Sequence, residues 1–151
     1  MRNKMAIAIL ATLITCVASL ETADAQTHFG VRGGAYMDQD DAFVGVHAVS
    51  NLARRWVFNP NFEYVLVDRG SLFTINADFH YDLPSRSSTV FWLGGGLGIS
   101  HDSFREVSTT DTGLNLLVGA SFGRRPAYPF IQAKVTFFDD NALVLGGGIT
   151  F

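Results

Sequence analysis

Four charged residues stand out because each lies on the polar face of a strand-like stretch that is otherwise poor in charge: Arg32, Glu63, Asp78 and Lys134. They fall on four separate runs with the same facing, so they could meet in one interior, where two cations and two anions cancel. Pairing offsets most of the cost of taking such groups out of water. The expected role is structural, a polar plug, with a proton or ion path as the alternative. A second constellation is His101-Asp102-Ser103, which sets a base two residues from a hydroxyl nucleophile. Such a pair needs an orienting carboxylate. Glu106 is the nearby candidate, and Asn115 on the following run carries no charge. His28, His47 and His80 are spread over separate runs and do not read as a zinc set. Acidic residues between the runs could collect divalent cations, but no Asp-x-Asp-x-Asp-Gly loop is present, so no metal site and no cofactor are assigned.

The elements that must position these residues are strands. Phe73, Ile75, Ala77, Phe79, Tyr81 and Leu83 alternate with Thr74, Asn76, Asp78, His80 and Asp82, and a period of two separates an apolar from a polar face. Ile131 to Phe137 does the same. Six weaker runs, Phe29 to Met37, Ala42 to Leu52, Trp56 to Val67, Val90 to Ser100, Gly113 to Gly123 and Ala142 to Phe151, bring the total to eight. No helical period, linker or repeat separates them, so residues 26–151 read as one all-β domain. Pro60 cannot donate to a ladder, which predicts a bulge there or a strand that begins at Asn61.

Connections alternate in charge. Asn51 to Arg55, Leu83 to Ser88 and Arg124 to Ala127 carry Arg54, Arg55, Arg86, Arg124 and Arg125. Asp38 to Asp41, Asp68 to Ser71, Ser100 to Thr112 and Asp139 to Asn141 carry nine carboxylates against Arg69 and Arg105. An even strand number puts both termini at the basic end. The longest acidic loop is expected at Ser100 to Thr112.

Residues 1–25 read as an export signal, with Arg2 and Lys4, an apolar stretch from Met5 to Leu20, and Ala23-Asp24-Ala25 as the cleavage site. The stretch is shorter than the roughly 20 residues of a spanning helix. Acylation at Cys16 is disfavoured by Thr15 before it; cleavage after Ala25 removes the single cysteine and with it any disulfide. A formal net charge of −3 argues against nucleic-acid binding.

Alternation alone fits either a soluble barrel, apolar inside, or a membrane barrel, apolar outside. Charge lying overwhelmingly in the connections, a glycine-rich polar parity (Gly30, Gly34, Gly94, Gly96, Gly98, Gly119, Gly146, Gly148) and Phe29, Phe58, Phe79, Tyr81, Phe91, Phe122 and Phe151 gathered near the basic end favour the second. The expected fold is an eight-stranded antiparallel up-and-down transmembrane β-barrel. A soluble periplasmic barrel is the alternative.

In its last run Leu143, Leu145, Gly147, Ile149 and Phe151 alternate up to a terminal aromatic. Over Thr27 to Phe151 the chain resembles the small outer-membrane β-barrel domain family that includes OmpA-type and opacity-type proteins. That resemblance implies the outer membrane of a Gram-negative envelope, acidic loops facing outward, and an ending, Ile149 and Phe151, read by the outer-membrane assembly machinery. Lipid and lipopolysaccharide are the expected surroundings of a monomer, and the expected role is structural or surface-interacting rather than enzymatic. The His-x-Ser spacing at His101 and Ser103 also resembles lipid A deacylases, which leaves a lipid A-modifying enzyme as one alternative and a narrow channel or transporter as another.

Overall fold

The computed structural model describes residues 26–123 and 126–151; residues 1–25, where an export signal is expected, and Arg124 and Arg125 lie outside the described residues. Eight strands form: β1 (Thr27–Tyr36), β2 (Asp41–Asn51), β3 (Trp56–Leu66), β4 (Ser71–Asp82), β5 (Thr89–Phe104), β6 (Val107–Phe122), β7 (Tyr128–Phe137) and β8 (Asn141–Thr150). Each pairs antiparallel with its sequence neighbours, and β1 pairs with β8 to close a barrel. Closure leaves the strands no lateral edge within the wall, as a hydrocarbon layer demands of backbone N–H and C=O groups.

The two faces separate as the alternation requires. Val44, Val46, Ile75, Leu93, Leu97, Leu114, Leu116, Val118, Ile131 and Leu145 are exposed on the outer wall. Arg32, Glu63, Asn76, Asp78, Asn115 and Lys134 are buried within. Outward aromatics form two bands. At the basic end Trp56 packs on Tyr81 and Phe58 on Phe79, with centroids 5.2 and 4.7 Å apart. Toward the acidic end Phe62 packs on Phe73 at 5.7 Å, with Tyr64 and Phe137 exposed nearby. Aromatic rings prefer the two water–lipid boundaries, so the spacing of the bands marks a membrane-spanning wall.

Inside, large side chains lie across glycines of the adjacent strand. A Cβ at Gly119 would overlap the Trp92 indole, and one at Gly96 would overlap the Asp78 carboxylate and sit 2.5 Å from the Ala77 carbonyl oxygen. Glycine is required at both by close approach. An apolar cluster of Tyr36, Phe43, Val65, Ala142 and Val144 fills the lumen toward the acidic end. Trp92, Leu117 and Phe130 pack together nearer the basic end.

Two expectations are corrected. Pro60 causes no bulge, and β3 does not start at Asn61: Pro60 pairs in register with Ala77 of β4. On the other side the β2–β3 register is the same at His47↔Asn61 and Ser50↔Phe58. The ladder simply lapses opposite Asn59 and Pro60, which accommodates the missing donor without shifting a residue. Nor is Ser100 to Thr112 a loop. β5 and β6 continue as a hairpin paired from Thr89↔Phe122 to Phe104↔Val107, closed by a two-residue turn in which Arg105 takes φ 56. Both strands have 16 residues against 10 to 12 in the others. The excess lies at the acidic end and projects beyond the wall.

Candidate functional site

Glu63 is the centre of the lumen. Lys134 Nζ donates to its two oxygens at 2.9 and 3.1 Å, and Arg32 Nη2 lies 3.3 Å from Oε1. The Tyr36 hydroxyl and Thr74 Oγ1 donate to Oε2 at 3.1 and 3.2 Å. Side chains of three other strands, β1, β4 and β7, thus converge on one fully buried carboxylate, the coordination a buried anion needs.

Asp78 is placed apart from this group. Its oxygens accept from Asn61 Nδ2 and Asn115 Nδ2, each at 2.9 Å, so neutral amides hold it rather than a cation. Asn76 ties the two groups together. It donates to Asn61 Oδ1 at 2.9 Å and to Thr74 Oγ1 at 3.3 Å, and accepts from Asn115 at 2.8 Å. Arg32 and Lys134 therefore both touch Glu63, whereas Asp78 reaches it only through Asn61 or Asn115 and then Asn76 and Thr74. Asn61, Asn76, Asn115, Thr74 and Tyr36 escaped the sequence reading because neutral residues on a polar face draw no notice; their shared parity with Asp78 and Glu63 was the available signal.

Below the Trp92–Leu117–Phe130 cluster, a vestibule of about 420 Å³ opens at the basic end, lined among others by His28, His47, Asn59, His80 and Arg55. His80 stacks on Trp92 at 4.6 Å and His47 meets Phe130 edge-on at 5.1 Å. His47 Nε2 and Thr150 Oγ1 are 2.9 Å apart. Among the described residues no His, Cys, Asp or Glu group has the arrangement of a metal site.

His101 and Ser103 lie on the outward face of β5. Ser103 Oγ is 3.2 Å from His101 Nε2, and His101 Nδ1 is 2.8 Å from Thr110 Oγ1. The nucleophile–base distance is met, but a neutral hydroxyl occupies the orienting position that the chemistry assigns to a carboxylate. Asn115 is committed to Asp78 on the opposite face of β6, and Glu106 sits in the turn beyond the paired strands.

Taken together, an apolar outer wall with two aromatic bands and hydrogen-bonded polar groups on the inner face define a small membrane-spanning β-barrel. No protein-family model and no curated protein matches the sequence. Solved structures do. The N-terminal β-barrel domain of Pseudomonas aeruginosa OprF superposes with a TM-score of 0.68 at 13% identity, over 85% of this chain and 98% of that one. Neisserial surface protein A (NspA) superposes with a TM-score of 0.62 at 14% identity, over 85% and 98%. Ail, the attachment invasion locus protein of Yersinia pestis, gives 0.50 at 15% identity over 84% and 97%. At these identities the likeness establishes the fold: a closed eight-stranded barrel of the outer-membrane type.

Proposed function

We propose that this chain is a non-enzymatic outer-membrane barrel with a structural and surface-contact role, its lumen sealed by its own side chains. The observation that carries this reading is the convergence of Lys134, Arg32, Tyr36 and Thr74 on Glu63. These groups pair with one another across the lumen, and the Tyr36–Phe43–Val65 cluster lies on one side of them. An ion crossing here would have to break several buried charge-assisted bonds, each worth roughly 1.5–3 kcal/mol. The outer-membrane address is supported by the apolar wall and by the outer-membrane barrels that share the fold.

Contacts in this reading fall into three sets. Lipid meets the outer wall, lipopolysaccharide the acidic end, and the assembly machinery Ile149 and Phe151. Phe151 is exposed, and its N–H donates to the Phe29 carbonyl at 2.8 Å, which presents the terminal ring on the outside of the seam. The chain acts as a monomer. Planar-bilayer recording of the purified barrel tests the sealed lumen: the reading requires a silent bilayer, and large, stable openings would establish the channel alternative instead.

A further inference from the structure

The hairpin that projects at the acidic end carries an open strand edge. The β6–β7 ladder begins only at Leu114↔Phe137, whereas β6 itself starts at Val107. Gly113 is packed against the Phe137 carbonyl and the Phe138 ring. Among the described residues, Val107 to Thr112 therefore pair with β5 on one side and with no strand on the other. β5 leaves no matching edge, because β4 accompanies it as far as Ser71↔Ser103. In an antiparallel strand alternate residues direct both N–H and C=O to the free side.

Unprotected edges are unusual. Proteins blunt them with lysine, proline, bulges or shortness. This one is Val107-Ser108-Thr109-Thr110-Asp111-Thr112: no lysine, no proline, and an unbroken register. It is rich in threonine, which suits extended backbone. Its surroundings are strongly acidic. Asp111 lies on the edge, Glu106 in the turn above it, and Asp139 and Asp140 in the β7–β8 turn below.

We infer that this edge is an acceptor for an extended, lysine- or arginine-bearing peptide segment of another protein, added antiparallel or parallel as a further strand beside β6. The inference rests on the surface-contact reading above and names its partner by chemistry. Main-chain bonds supply the attachment, and alternate basic side chains answer the carboxylates. A second copy of this chain does not fit, since its own edge would bring the same acidic groups against these.

The test uses the full barrel in zwitterionic detergent micelles and a capped peptide of alternating lysine and threonine. Its partner probe has the same sequence N-methylated at alternate residues, which keeps the charge and removes the donors on one edge. Binding of the first peptide is expected to slow amide exchange at alternate positions between Val107 and Thr112. N-methylation should weaken it more than about tenfold, the loss of several main-chain bonds. Asp111→Asn should weaken it several-fold. Equal binding of both peptides would reduce the site to a diffuse acidic surface and overturn the inference, as would no binding, or edge protection that appears without peptide as protein concentration rises. Failure here in a barrel that stays silent in bilayers refutes the edge alone; conductance with peptide binding intact refutes only the sealed lumen.

Discussion

Lys134 and Glu63, 71 residues apart in sequence, meet inside the barrel with Lys134 Nζ 2.9 and 3.1 Å from the two carboxylate oxygens. Strands β7 and β3 are not neighbours in the wall, so this pair crosses the lumen. Several consequences can be measured.

Glu63→Gln leaves Lys134 and Arg32 buried with no carboxylate between them. Breaking a buried pair from one side costs roughly 3–5 kcal/mol, and a loss of that size is expected in urea unfolding followed by gel mobility. Glu63→Gln combined with Lys134→Met removes one of the stranded cations and should regain part of the loss. Strict additivity of the two changes would argue against their contact.

Asn115→Leu removes one of the two amides that hold Asp78 and leaves its Oδ1 without that donor. Stranding a buried acceptor costs about 1–3 kcal/mol. The same measurement should show it, and the barrel should still close.

Gly96 and Gly33 should respond differently to a methyl group. Gly96→Ala sets a methyl into the Asp78 carboxylate and 2.5 Å from the Ala77 carbonyl, and should destabilise by about 1–3 kcal/mol. Gly33→Ala faces outward, with its nearest neighbour, the Phe43 carbonyl oxygen, at 3.3 Å, and should cost clearly less. Equal effects would mean that the lumen is looser than these contacts describe.

Ser103→Ala is expected to leave lipid A unchanged by mass spectrometry, because the Ser103–His101–Thr110 chain has no carboxylate to hold the imidazolium that acyl transfer creates. A mass shift on overexpression that the variant abolishes would reinstate the enzyme reading.

The wall of this barrel was legible in the sequence because lipid on one side and a packed lumen on the other impose a strict parity. Phe73 to Leu83 shows it residue by residue. Where that constraint ends, so does the signal: Ser100 to Thr112 is wetted on both faces, carries no apolar alternation, and reads as a loop although it is a paired hairpin. Its β-branched threonines were the remaining clue. In the lumen the charged residues announced themselves, but which charge meets which partner depends on barrel shear and side-chain reach. Asp78 accordingly turns to Asn61 and Asn115 rather than to Lys134. Pro60 was legible as a missing donor, but how the ladder absorbs it is a property of β2.

The central claim is that one parity of every strand meets lipid and the other is enclosed. Methyl NMR of the folded barrel in bilayer discs containing nitroxide-labelled lipid tests it directly. Ile75, Leu97, Leu116 and Ile131, all exposed on the wall, should be strongly broadened, while Val65, Leu117 and Val144, all buried within, stay sharp. Broadening of the second set with sparing of the first would contradict the account.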